Sequence, residues 1–212
     1  YGASGFGKEV MPLVRQQYAT LEKQQFVFID DGQAGNTLSG YPVLSYADFL
    51  ANTSAEKAVV IAIANSQVRE KLTAQLATDQ IPQLHIHAHN ALIAEEAEIA
   101  EGSLFCAFTC VTSNAKIGKG FHANIYSYVA HDCVIGDYVT FAPSVKCNGN
   151  VHIEDHAYIG TGAIIKQGTP ERPIVIGRGA VVGMGAVVTK SVPAGVTVIG
   201  NPAKPLGRNI NG

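Results

Sequence analysis

Charge is scarce in this chain. Only 15% of its 212 residues are Asp, Glu, Lys or Arg, and the formal net charge is −2. There is no basic excess to hold nucleic acid or an anionic membrane surface, and neither is expected as a partner. Long apolar runs are also missing. The longest, AVVIAIA at 58–64, falls far short of the roughly 20 residues that span a bilayer. No signal-peptide pattern is visible. The four cysteines (Cys106, Cys110, Cys133, Cys147) contain no CxxC pair. They read as reduced thiols, which points to a cytoplasmic setting. What is plentiful is glycine, at 22 residues, and apolar side chains, at 47%. That is enough for one large or two small cored domains.

The two halves follow different patterns. Residues 1–86 alternate strand and helix signals. The glycine-rich GASGFG (2–7) leads into a helical stretch at 8–18, and FVFID (26–30) reads as a strand ending in acid. Ser45 is placed to cap a short helix, SYADFL. AVVIAIA reads as a strand covered on both faces, followed by an amphipathic helix (66–77) with Val68, Leu72 and Leu76 on one side. This is a βαβ pattern and predicts a small parallel sheet, Rossmann-like, over 1–86.

From residue 93 an apolar residue returns at every sixth position, from Ile93 through Val129, Ile135 and Cys147 to Ile165, thirteen times in succession. A second, usually small residue follows four places later. A period of six fits neither a helix nor a meander; it fits a parallel β-helix in which three hexapeptides close an 18-residue triangular coil. The sequence therefore divides at 86/87 into an α/β domain and a β-helix with a C-terminal tail. The step from Ile165 to Ile176 is eleven, so QGTPERP (167–173) carries about five extra residues and is expected as a loop.

The coil length converts sequence into neighbours. His131 in YVAHDCVIGD lies one coil beyond Ser113 and one coil before Gly149. An imidazole beside a residue with no side chain, with a backbone N–H within reach, is the minimum equipment for acyl transfer. The alternative is a merely solvated histidine. Asp132 falls in register with Asn114 and Asn150 as a possible polar ladder, and it orients His131 only if the corner bends the strand, since alternation sends neighbours to opposite faces. Cys133 and Cys147 occupy inward positions and read as core. HIHAH (85–89) puts three histidines at alternate positions, but no acid or cysteine joins them and no metal is expected.

GASGFG is GxxGxG, not the GxGxxG of dinucleotide folds. Gly2, Ser4, Gly5 and Gly7 could still present backbone N–H groups to a phosphate at the following helix. Asp30, Asp31 and Asn65 end strands on the same carboxyl edge, where open parallel sheets bind ligands. The alternative for the acids is a plain turn.

Four motifs together resemble one family: GASGFG, FIDD (28–31), HDCVIGD (131–137) with KCNGNV (146–151), and the closing VIGNPAKP (198–205). They are similar to the left-handed β-helix nucleotide-sugar acetyltransferases of the bacillosamine N-acetyltransferase and sialic-acid O-acetyltransferase type. The resemblance implies acetyl-CoA as co-substrate, a UDP-linked 4-amino-4,6-dideoxy sugar as acceptor, and a homotrimer with active sites between subunits. It implies His131 as general base with Asp132 as its partner, Asn124 near the acceptor amine, and Gly149 at the thioester carbonyl. Gly162, Gly183 and Gly185 would follow the CoA arm, with Lys190 and Lys204 as phosphate contacts. Two positions depart from relatives: Thr140 stands where some carry a second histidine, and Phe6 where some carry a histidine in the glycine loop. Rival expectations on the same fold are a sugar O-acetyltransferase, a metal-dependent β-helical hydratase and a non-catalytic scaffold.

Overall fold

The computed structural model describes residues 1–52 and 56–207. The first domain contains helix α1 (Gly5–Gln17), strands β1 (Phe28–Ile29), β2 (Thr37–Leu38) and β3 (Tyr41–Leu44), and helices α2 (Tyr46–Ala51) and α3 (Ser66–Thr78). Helix α1 begins inside the glycine loop, earlier than the helical signal at 8–18, with Ser4 at its N-cap. Ser45 caps α2 as expected, its Oγ accepting from Asp48 N at 3.0 Å.

Two expectations for this domain are corrected. The parallel partner of β1 is β3, and β2 joins β3 antiparallel. Residues 58–64 are extended, with Val59, Ile61 and Ala62 buried, but they form no ladder with β1 because Tyr1 and Gly2 lie between them. Ala62 N donates to Tyr1 O, and Gly2 N donates to Ile29 O. In α3, Leu72 and Leu76 are buried as predicted, but Val68 is 39% exposed. Arg69, at 1%, takes the inward place. Arg69, Leu72 and Leu76 still follow an i, i+3, i+7 stripe.

From Ile86–His87 onward the chain is a left-handed parallel β-helix of three faces, with eight, six and five strands in their sheets. Pairing steps by eighteen residues on every face: His122 to Thr140, Tyr128 to Lys146, Val134 to His152. The repeated aliphatics fill the prism, among them Phe105, Val129, Ile135, Phe141, Ile159 and Ile165 at 0–2% exposure. Each such side chain taken from water contributes about 1.5–3 kcal/mol, so the repeat is itself the chief source of stability.

Most corners turn through a residue with φ near +60°. At the corner between the first and second faces these are Phe108, Tyr126, Ser144, Gly162 and Gly185. At the corner between the second and third they are Asn114, Asp132 and Asn150. Asp and Asn tolerate this left-handed backbone better than most residues. The segment 167–173 leaves as a loop from the second of these corners, closed by paired hydrogen bonds between Thr169 and Arg172. The coil then resumes in register, Ile153 against Ile176 and Ile165 against Val188.

One side chain ties the domains together. The Arg69 guanidinium donates to Ile63 O and Ala64 O within its own domain, and to Gly120 O, Tyr138 O and Thr140 Oγ1 on the β-helix. Beside it, His156 stacks on Tyr138 and approaches Glu70 Oε2 at 3.4 Å. Helix α3 is thereby held against the first face of the coil.

Candidate active site

The backbone turn at Asp132 (φ +58°) settles the orientation question raised by strand alternation. The corner brings the two neighbouring side chains together, with His131 Nδ1 2.7 Å from Asp132 Oδ2. Asn114, one coil back, donates from Nδ2 to Asp132 Oδ1 at 3.1 Å. The expected ladder is therefore real at this rung. The hydrogen bond from His131, then that from Asn114, hold the Asp132 carboxyl below its ordinary value. An ionised Asp132 fixes the Nδ1–H tautomer and leaves the Nε2 lone pair as the basic site. Both side chains remain nearly half exposed, so the ring is reachable.

Gly149 lies directly against that ring. A Cβ built on it would stand 2.5 Å from both Cε1 and Nε2 of His131. No acceptor among the described residues takes the Gly149 N–H. The site thus pairs a fixed imidazole nitrogen with an open backbone donor. Gly149→Ala is expected to lower kcat by at least about tenfold by displacing the imidazole, since misplacing a catalytic group by about 1 Å can cost far more than that. Its melting temperature should stay within a few degrees, because the clash meets the end of a side chain. Steady-state kinetics and a thermal melt together check this.

The remaining cofactor candidates fall on two corners. Following the register upward from His131 gives Gly149, then Gln167, then Lys190. At about 4.8 Å per coil, Lys190 stands roughly 14 Å along the edge from His131. The corner between the first and second faces carries Asn124, Gly162, Gly183 and Gly185. Gly162 and Gly185 both open on free space, whereas Gly183 is pressed against Ile199. Asn124 Oδ1 accepts from Ile125 N at 2.7 Å. Lys204 lies on the closing strand Lys204–Pro205, opposite Ile199 and exposed. One whole face therefore separates Asn124 from His131 within the chain.

At the other end of the molecule, the glycine loop divides by role. Gly2 and Gly7 are packing positions: a Cβ on Gly7 would stand 2.1 Å from Gly2 O, and one on Gly2 would stand 2.7 Å from Ala62 O. Gly5 opens on free space, and Ser4 makes no side-chain cap bond. Asp30 accepts from Ala3 N, Gly32 N and Gln33 Nε2. Asp31 accepts from Tyr46 N and Tyr1 Oη. Asn65 caps α3, its oxygen accepting from Gln67 N and Val68 N. All three thus build the edge on which they were expected to meet a ligand.

Residues 1–76 match the model of the PglD N-terminal domain, and residues 114–149 match that of the bacterial transferase hexapeptide. WeeI from Acinetobacter baumannii AYE is 72% identical, with a TM-score of 0.96 and 97% of each chain covered. The acetyltransferase domain of PglB from Neisseria gonorrhoeae FA1090, solved with acetyl coenzyme A, is 30% identical with a TM-score of 0.86, covering 97% of this chain and 96% of that one. GDP-perosamine N-acetyltransferase of Escherichia coli O157:H7 is 47% identical over 215 residues, covering 99% of this chain and 96% of the relative. The chain belongs to the left-handed β-helix nucleotide-sugar N-acetyltransferases.

Arg69 of this acetyltransferase was given no role by sequence reasoning. Thr140 Oγ1 accepts from Arg69 Nη2 at 2.9 Å. Phe6 packs against the ring of His122 at 5.5 Å. His122 is 2% exposed, and burial, then the nearby Arg69 charge, pushes its imidazole well below the ordinary value. Of the HIHAH histidines, His85 and His87 lie 5.8 Å apart ring to ring and His85 also packs on Phe105, while His89 Nδ1 meets Gln16 Oε1. Among the described residues no three His, Cys, Asp or Glu side chains gather as a metal site requires, and no helix is long and apolar enough to cross a membrane.

Proposed function

We propose that this acetyltransferase moves the acetyl group of acetyl-CoA to the 4-amino group of a UDP-linked 4-amino-4,6-dideoxy sugar. The observation that carries this is the His131 ring, held by Asp132 through Nδ1 and lying over the bare backbone of Gly149. The amine attacks the thioester carbonyl while His131 Nε2 takes its proton. Gly149 N–H donates to the oxyanion of the tetrahedral intermediate. Collapse expels the CoA thiolate, which takes the proton back from the imidazolium. One such oxyanion donor is worth about 3 kcal/mol of transition-state stabilisation. Direct transfer needs no covalent enzyme intermediate.

Residues 1–86 hold the nucleotide, with Ser4 and Gly5 at the start of α1 facing its phosphates and Asp30, Asp31 and Asn65 lining the edge. Asp30 and Asp31 would accept hydrogen bonds from the base or ribose, and the UDP carrier is what the family resemblance implies. A GDP carrier is the second reading, favoured by the relative named for GDP-perosamine.

The working form is a homotrimer. Asn124, Gly162, Gly183 and Gly185 lie one corner away from His131, Gly149 and Lys190, so a single chain holds two half-sites. Phe108 and Tyr126, stacked at 4.9 Å and more than half exposed, project from the corner that carries Asn124 and make an apolar edge for a neighbouring copy. Acetyl-CoA would run between the copies, past Lys190, with Lys204 as a further phosphate contact. The cytoplasmic setting rests on the cysteine usage of the sequence, four cysteines with no CxxC pair.

The test is acetyl-CoA turnover against UDP-, GDP- and dTDP-linked 4-amino sugars and free sialic acid, read by thiol release and product mass. The expected product is the N-acetylated UDP sugar, with kcat/KM at least about tenfold above the GDP sugar, or about 1.4 kcal/mol of discrimination. Preference for GDP replaces the carrier, acetylation of sialic acid alone moves the reaction to a hydroxyl, and no transfer to any acceptor overturns the proposal.

A further inference from the structure

The donor proposed for the oxyanion is the N–H of the peptide joining Asn148 to Gly149. In a trans peptide the N–H and the preceding C=O point in opposite directions. Whatever holds the Asn148 oxygen therefore aims the Gly149 N–H. At some corners of the coil that oxygen is taken by the backbone three residues on: Ser127 N donates to Asn124 O, Ala163 N to Gly160 O, Ala186 N to Gly183 O; at Ala142 a side-chain hydroxyl, Ser127 Oγ, takes it at 2.9 Å. At Asn148 no backbone N–H among the described residues does so. A thiol from inside the prism reaches it instead, Cys133 Sγ at 3.1 Å, with Cys147 Sγ behind at 3.9 Å. The Asn148 side chain is fixed as well. Tyr128 Oη donates to its Oδ1 at 2.8 Å, and its Nδ2 donates to Ile165 O at 2.8 Å.

We propose that Cys133 and Asn148 are positioning residues for acetyl transfer, the buried thiol turning the Asn148 carbonyl inward so that the Gly149 N–H faces the reacting carbonyl beside His131. This rests on the acetyl-transfer reading and adds to it a role for a core residue. Cys133 is two residues from His131 and 0% exposed, so it touches no substrate and acts only through the peptide. Donation to the carbonyl also polarises the peptide and strengthens its N–H as a donor. The Tyr128–Asn148–Ile165 chain of hydrogen bonds keeps the peptide from rotating about its flanking bonds.

The test compares Cys133→Ala, Cys133→Ser and Asn148→Ala in the full-length enzyme, with kcat, both KM values, acetyl-CoA binding by calorimetry and a thermal melt. Cys133→Ala is expected to lower kcat about tenfold, with both KM values within about twofold. Cys133→Ser, whose hydroxyl can donate in the same way, is expected to return kcat to within about threefold of the parent. Asn148→Ala should fall with Cys133→Ala, and because Asn148 is only partly buried and lies outside the apolar filling of the prism it is the control for a core that fails to pack. Equal activity of the alanine and serine variants overturns the inference, as does a loss of kcat that follows the melting temperature alone. Its failure is distinguishable from that of the underlying reading. If His131→Ala abolishes transfer and Cys133→Ala does not change kcat, only the positioning role falls. If His131→Ala leaves turnover intact, the general-base role of His131 falls, and if the parent enzyme transfers acetyl to no acceptor, the acetyl-transfer reading itself falls.

Discussion

His131→Ala is expected to lower kcat for the amino-sugar acceptor by at least about 100-fold, the lower end of what a positioned general base supplies. An amine that has added to a carbonyl must shed a proton before the thiolate leaves. Without the imidazole that proton goes to water, whose encounter is not organised. The ring's supports do not depend on it for folding: Asn150 N donates to the His131 backbone oxygen, which alanine keeps, and Asn114 still holds Asp132. Acetyl-CoA affinity and the melting temperature should stay near the parent values. Calorimetry, a thermal melt and single-turnover kinetics check the three quantities separately. A turnover within about threefold of the parent would remove His131 from the mechanism.

Arg69→Met carries the largest expected loss of stability, about 3–5 kcal/mol, the sum expected when several buried carbonyls lose their donor at about 1–3 kcal/mol each. The guanidinium is 1% exposed, and desolvation lowers its pKa only to about 10, so it stays charged at neutral pH. Methionine has similar reach but no donors. It would leave the oxygens of Ile63, Ala64, Gly120 and Tyr138 without their present partner at the seam, at about 1–3 kcal/mol for each that finds no water. Arg69→Lys should recover part of the loss, having three donors in place of five. Urea unfolding followed by helix and strand signals separately should show the α/β domain releasing first in Arg69→Met. Coincident transitions at the parent midpoint would show that the domains hold without it.

The sequence made the coil easy to read because a six-residue repeat has few physical solutions, and once the coil length was known the His131–Gly149 contact followed by counting. The orientation of Asp132 was not readable in the same way. It depends on a left-handed corner residue, and a strand-alternation argument points the carboxylate the wrong way. Arg69 escaped because its partners are carbonyls contributed by residues 63–64 and 120–139, and carbonyls leave no trace in residue type. In the first domain the extended segment 58–64 was recognised, but its neighbour was not, since Tyr1 and Gly2 are too short a stretch to show any periodicity. The acids at Asp30 and Asp31 were visible as chemistry, while their work in bracing the glycine loop and capping α2 depends on contacts between distant segments.

The loop at 167–173 has a practical meaning for engineering. Its two ends rejoin the prism without shifting any later rung, and it departs from the very edge that bears His131, one rung beyond Gly149. Residues could be added or exchanged there while the scaffold on both sides keeps its dimensions. That makes this segment a graft point from which a new side chain can be brought over the reactive centre, widening or narrowing the range of acyl groups admitted without redesign of the barrel-like core beneath.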